Sequence, residues 1–277
     1  KKQVFAEVEA VVSPECILAT NTSSLSVTEM AADLQHPERV VGFHFFNPVA
    51  VMPLLEIVRA PKTDDAVLAT AFVLAKALKK TAVLVKDDAA FVVNRILGRM
   101  FGEITAVFDE GTDAAVADNA LRPMGLPMTP FSLLALVGLP VGQHVQESLH
   151  TAFGDRFYVS ENSQKLIDAG IKSLWQKDGD GKPYVPQETL DLLTFGDSPS
   201  TSEEVLRRTQ DALAEEIGMM LDEGVVAGPE DIDLCVILGA GWPMHLGGIT
   251  PYLDRVGASD RVNGKLFNAG AVPVAAG

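Results

Sequence analysis

The rhythm of hydrophobic and polar positions changes near Lys86. Before it, short apolar runs alternate with amphipathic stretches, the pattern of an α/β unit with a mainly parallel sheet. Val4 to Val12 reads as the end of a helix, Ile17-Leu18-Ala19-Thr20 as a buried strand, and Ser26 to Leu34 as a short helix. Ser26 and Glu29 have the spacing of a capping box, in which a hydroxyl and a carboxylate satisfy free N–H groups at a helix start. Val40 to Phe45 and Leu54 to Val58 read as strands. Asp64 to Lys80 follows as a helix with acids in its first turn and lysines in its last, matching the helix dipole, and Thr81 to Val85 closes the unit as a strand.

From Phe91 onward long amphipathic helices dominate, the first running from Phe91 to Glu110 and stopped by Gly111. Gln176 to Pro186, with Asp178-Gly179-Asp180-Gly181 and two prolines, is a turn-rich connection that marks a boundary. A weak repeat supports it. Phe108-Asp-Glu-Gly111, Pro127-Met128 and Leu136-Val-Gly138 recur as Leu221-Asp-Glu-Gly224, Pro243-Met244 and Arg255-Val-Gly257, the spacing lengthening from 116 to 119 residues over the last two pairs. The expected class is α/β followed by all-α, with two tandem helical modules, and the expected divisions are 1–86, 87–185 and 186–277.

Three segments place polar residues at the carboxyl ends of expected strands, where open α/β sheets bind ligands: Asn21-Thr-Ser-Ser24, Gly42-Phe-His-Phe-Phe-Asn-Pro48 and Leu55-Glu-Ile-Val58. His44 sits between Phe43 and Phe45, which are expected to surround it and lower water access, and taken alone reads as a core histidine. Glu56 changes that balance, because an unpaired carboxylate in so apolar a run would cost on the order of several kcal/mol. A histidine on the neighbouring strand can partner it. The carboxylate would accept one ring N–H and leave the other nitrogen to take a proton, a general-base dyad. A structural His–Glu pair fits these two residues equally well. Ser23 is free for a substrate oxygen if Ser26 caps the helix, and Asn94 needs a partner in its apolar surroundings unless it faces solvent.

Two other motifs carry less. Gly239-Ala-Gly241-Trp-Pro-Met begins like a dinucleotide fingerprint, but Met244 stands at the third glycine and no βαβ unit follows, so it reads as a turn between helices. Asp178-Gly-Asp180-Gly resembles a calcium loop whose downstream ligand positions fall on Lys182, Pro183 and Tyr184, and reads as a surface turn.

Composition narrows the classes. At 277 residues and 47% hydrophobic content the chain can bury a real core, and no run reaches the roughly 18 apolar residues of a membrane span. The amino terminus lacks a signal peptide's apolar core, so a cytoplasmic address is expected. The formal charge of -15 argues against nucleic acid. Cys16 and Cys235 lie in apolar runs and read as buried thiols, with no metal site.

Asn21-Thr-Ser-Ser-Leu25, Gly42-Phe-His-Phe-Phe-Asn-Pro48, Met52-Pro-Leu-Leu-Glu-Ile-Val58 and Phe91-Val-Val-Asn-Arg95 together resemble the 3-hydroxyacyl-CoA dehydrogenases in order and spacing. The helical tandem resembles the dehydrogenase part of the bacterial multifunctional fatty-acid oxidation alpha subunit. The resemblance implies that residues 1–86 are the C-terminal part of a Rossmann-like NAD-binding domain. It further implies that His44 takes the proton of a 3-hydroxyl while hydride leaves for NAD, with Glu56 orienting the histidine. Ser23 and Asn94 match substrate-contacting positions; Lys1, Ser23 and Asn47 match cofactor-contacting ones. An acyl-CoA substrate, a thiolase subunit as partner, and a homo-oligomer are implied as well.

The chain departs from the family in having no Gly-x-Gly-x-x-Gly, so it is expected to be a fragment that binds NAD poorly by itself. Ala89-Ala90 stand where the family usually has Pro-Gly, and Thr129 and Ala135 replace a glycine and an acid. Two readings compete with the dehydrogenase: a catalytically silent assembly module, and a dehydrogenase of free hydroxyacids.

Overall fold

The computed structural model describes residues 2–22 and 26–270. It contains two compact units, neither continuous in sequence: the residues up to Arg95 with Ile217–Thr250, and Ile96–Glu216 with the residues from Pro251 on.

The first unit opens with α1 (Lys2–Glu9), β1 (Leu18–Thr20), α2 (Val27–Ala31), β2 (Val40–Phe45), β3 (Leu54–Arg59), α3 (Asp65–Ala77) and β4 (Thr81–Lys86). Asp64 caps α3 by accepting the N–H of Ala66 at 2.9 Å. The sheet order is β1-β2-β3-β4, with β1/β2 and β3/β4 parallel but β2/β3 antiparallel. Two of the three pairings are parallel, in line with the expected mainly parallel sheet, and β2/β3 is the antiparallel exception. Residues 46–53, which join β2 to β3, are too few for the crossover a parallel pair requires, so the chain folds straight back.

Strand alternation sorts the apolar runs onto two faces. Val41, Leu55 and Ile57 pack under Leu68, Ala71 and Ala75 of α3, with Phe43 and Phe45 against the same cluster. Gly42, His44, Leu54, Glu56 and Val58 take the opposite face. Gly42 faces its cross-strand partner Val58 closely, since a Cβ at this position would meet Val58 Cγ2 at 2.6 Å and, less severely, Val27 Cγ2 of α2 at 3.1 Å.

Next come α4 (Val93–Asp109), α5 (Ala114–Asn119), α6 (Pro130–Val137), α7 (Leu139–Phe153) and α8 (Glu161–Asp168). A hairpin of β5 (Gln176–Lys177) and β6 (Pro183–Tyr184) leads to α9 (Gln187–Leu190), α10 (Ser202–Asp222), α11 (Pro229–Ala240), α12 (Ile249–Arg255) and α13 (Ala258–Asn263). In the second unit Asp109 binds the start of α8 to the end of α4, accepting from Tyr158 Oη at 2.9 Å, Ser160 Oγ at 2.6 Å and Asn162 Nδ2 at 2.8 Å. Burial pushes its carboxyl above the usual range despite those donors. The Asp178 turn closes the hairpin, its Oδ1 accepting the N–H groups of Asp180 and Lys182. Gly239, expected in a turn, lies inside α11; the left-handed cap is Gly241 at φ 73°.

Leu55 is fully buried between the sheet and α3. Leu55→Ala is expected to cost about 2–5 kcal/mol, read as a lower urea midpoint with an unchanged slope.

Candidate functional site

His44 and Glu56 are direct cross-strand partners in the β2/β3 register, on the face turned away from α3. Their side chains meet with Nδ1 and Oε2 2.6 Å apart, at exposures of 5% for His44 and 0% for Glu56. An ionised carboxylate only accepts, so the Nδ1–H donates. Nε2 has no hydrogen-bond partner among the described residues.

The other carboxylate oxygen is also satisfied. Oε1 accepts the N–H of Val92 at 3.2 Å and of Val93 at 3.1 Å. These groups open α4, where N–H groups lack intrahelical partners and the helix dipole favours negative charge. Glu56 is thus held by three donors, one from the imidazole and two from backbone.

A strained turn delivers those amides. Ala90 and Phe91 have φ of 61° and 55°, in the left-handed region that costs a side chain on the order of 1 kcal/mol or more per residue. Ala90 occupies the position where the resembled family usually has glycine, the residue that adopts this conformation without a Cβ clash. The turn begins at Asp87, whose carboxylate accepts from Ser26 Oγ at 2.7 Å and from the N–H groups of Val27 at 2.9 Å and Thr28 at 2.7 Å. The expected capping box is therefore half present: Ser26 Oγ accepts the N–H of Glu29 at 3.2 Å, while Asp87 supplies the carboxylate.

The aromatic surroundings of His44 differ from expectation. Phe43 and Phe45 alternate to the α3 face, and the rings beside the imidazole are Phe46, at 4.7 Å, and Phe91, at 5.3 Å between centroids. Of the remaining residues singled out, Asn94 lies half-buried in the first turn of α4, and Asn47 is exposed just beyond β2. Asn21 fastens the end of β1 to the end of β2, its Oδ1 accepting the N–H of Phe45 at 3.0 Å. Lys1 and Ser23 lie outside the described residues.

Sequence reasoning missed three contributors. The amides of Val92 and Val93 are backbone and carry no side-chain signal. Asp87 had one, an acid directly after a strand, but its partners are 59 to 61 positions away. Of the two thiols expected to be buried, Cys16 is half-buried and Cys235 in α11 is fully buried; that burial, with the negative charges of Glu56 and Asp231, pushes the Cys235 thiol well above the usual range.

The sequence matches two domain families: residues 1–88 the 3-hydroxyacyl-CoA dehydrogenase NAD-binding domain, and residues 91–184 the 3-hydroxyacyl-CoA dehydrogenase C-terminal domain. The fatty acid oxidation complex subunit alpha of Psychrobacter arcticus is 35% identical over 273 residues, which are 93% of this chain and 38% of that protein. This chain thus spans well under half the length of that curated relative. The (S)-3-hydroxybutyryl-CoA dehydrogenase of Ralstonia eutropha is 30% identical, with a TM-score of 0.57 over 70% of this chain and 66% of that one. A 3-hydroxybutyryl-CoA dehydrogenase of Escherichia coli shares the fold, with a TM-score of 0.72 over 95% of this chain and 75% of that one at 24% identity.

Glu56→Ala strands three donors in a buried site and is expected to cost about 3–5 kcal/mol. Glu56→Gln keeps an acceptor oxygen and is expected to cost less, so urea denaturation of the two variants should rank Ala well below Gln.

Proposed function

The chain belongs to the 3-hydroxyacyl-CoA dehydrogenase family, and from that premise we propose that it oxidises L-3-hydroxyacyl-CoA to 3-oxoacyl-CoA with NAD, a step of fatty-acid β-oxidation. The observation that carries this reading is the 2.6 Å contact between His44 Nδ1 and Glu56 Oε2, which leaves Nε2 as the proton acceptor. The substrate hydroxyl gives its proton to Nε2, and the imidazolium so formed is stabilised by the carboxylate at Nδ1. Glu56 keeps its charge in place because the Val92 and Val93 amides hold its second oxygen. Phe46 and Phe91 restrict water around the imidazole. Ser23 and Asn94 are assigned to the substrate oxygen, by their match to the family's positions.

NAD, when bound, supplies the acceptor for the hydride leaving C3. The residues present suit its nicotinamide end. Thr22 is buried with a hydroxyl that has no partner among the described residues, and Asn47 is exposed beyond β2, so both have hydrogen-bonding capacity to spare. Lys1 and Ser23 are assigned to the cofactor by family position alone.

The helical part is read as two related modules, 87–185 and 186–277, following an NAD-binding part at 1–86. Matching devices support this. At the offset relating Gly111 to Gly224, Arg95 corresponds to Arg208 and Glu110 to Glu223; Arg95 pairs with Glu223 at 2.7 Å and Arg208 with Glu110 at 2.7 Å. Asp118 of α5 accepts the N–H of Phe131 at the start of α6 at 2.8 Å, and Asp233 of α11 accepts that of Thr250 at the start of α12 at 2.8 Å. Gly111 and Gly224 both end their helices at positive φ. A thiolase subunit as partner, a homo-oligomeric state and a cytoplasmic location follow from the family reading; no described helix is long and apolar enough to cross a membrane.

NADH consumption with acetoacetyl-CoA tests the proposal in the full-length protein. His44→Ala is expected to lose about 100-fold to 10,000-fold in kcat, and Glu56→Gln a substantial part of that. Equal rates in the wild type and the His44 variant would remove the dyad from the chemistry, and an inactive wild type would favour an assembly module.

A further inference from the structure

Residues 217–250 lie outside both segments matched to the family's domains, yet they pack in the same compact unit as His44 and Glu56. Several bonds fix them there. Glu223 pairs with Arg95 at 2.7 Å, its carbonyl accepts from Lys86 Nζ at 3.0 Å, and the Val225 carbonyl accepts the N–H of Lys86 at 2.8 Å. From this attachment α11 runs against β3 and β4.

At Gly239 the approach is tight. A Cβ there would meet Leu54 Cδ2 at 2.6 Å and Val93 Cγ2 at 2.8 Å, nearer than real side chains pack. Leu54 lies on the same face of β3 as Glu56, and Val93 gives Glu56 one of its two backbone hydrogen bonds, at 3.1 Å. Glycine is a poor helix former, so its presence inside α11 costs helix stability that alanine would restore. The gain is proximity: the bare backbone at Gly239 seats α11 on the residues that flank the carboxylate. Cys235, one turn earlier, lies near enough for the charge of Glu56 to act on its thiol.

We infer that Gly239 is a positioning residue for the His44–Glu56 dyad, and that α11 thereby forms a wall of the catalytic centre. A methyl at 239 must displace Leu54 Cδ2, the free end of a flexible side chain, and Val93 Cγ2, which a short β-branched side chain holds close to the backbone at the start of α4. The amides of Val92 and Val93 move with α4, and hydrogen bonds weaken steeply as their geometry degrades. Glu56 then loses its backbone donors and with them the fixed orientation it gives His44. The kinetic consequence rests on the dehydrogenase reading; the structural one does not.

The test compares wild type, Gly239→Ala, Val93→Ala and the double variant in the full-length protein. It reads kcat and KM with acetoacetyl-CoA and NADH, and amide hydrogen exchange of a peptide spanning residues 89–97. Gly239→Ala should lower kcat by about 10-fold to 100-fold with KM within about 2-fold, and should speed exchange in that peptide. Trimming Val93 in the double variant removes the less yielding of the two contacts, leaving only the flexible end of Leu54 to give way, and should restore kcat and exchange most of the way, a non-additivity expected of residues in contact. A general loss of helix stability would show no such rescue. Wild-type kcat and exchange in Gly239→Ala, or no recovery in the double variant, would overturn the inference. If the wild type consumes no NADH, the dehydrogenase reading fails, and the exchange measurements alone decide the role of Gly239.

Discussion

A carboxylate with no solvent exposure must be matched by donors or it cannot stay charged, and Glu56 imposes that demand on the first unit. One oxygen faces His44 across the β2/β3 pair, so the antiparallel register must bring residues 44 and 56 opposite one another. The other oxygen faces the first amides of α4, so the chain leaving β4 must turn sharply enough to aim a helix start at the sheet. The left-handed conformations of Ala90 and Phe91 belong to that turn. Strain of this kind persists where the surrounding bonds over-determine it, and here those bonds include the four that Asp87 accepts from Ser26, Val27 and Thr28.

The same demand explains why the first unit is discontinuous. Covering the face of the sheet that carries Glu56 falls partly to α11, more than 150 positions beyond β3 in the chain. Its approach depends on Gly239, and its attachment on Arg95, a guanidinium with no exposure of its own that pairs with Glu223 and lies 3.6 Å from Asp88. Arg95 therefore links the turn before α4 to the end of α10. In the second unit Arg208 pairs with Glu110 and joins α10 to the end of α4.

Local rules account for much of the fold. The starts of α2 and α3 follow from Ser26 and Asp64, residues whose side-chain oxygens cap helices wherever the chain permits. The strands β2 and β3 follow from apolar runs with few competing signals, and the pairing of His44 with Glu56 could be anticipated because a lone acid in such a run needs a partner. The antiparallel sense of β2 and β3 was also implicit in the short link between them, although the alternation of helix and strand signals pointed to a mainly parallel sheet. The ring neighbours of His44 were misjudged for a simple reason. Adjacency in a strand places Phe43 and Phe45 on the opposite face, and the rings that do touch the imidazole come from the loop after β2 and the turn before α4.

By itself the sequence determined the α/β-then-helical order, the starts of α2 and α3 and the need of Glu56 for a partner, because capping, periodicity and the cost of a buried charge all act within a short reach of chain. Only the tertiary structure decided what completes the environment of Glu56. The donors at its second oxygen are backbone amides, identical at every residue until the fold aims them. The wall behind it depends on a glycine, which shows its purpose only when another element comes close. Neither leaves a mark in residue chemistry, since both are relations between segments that meet only once the chain has folded.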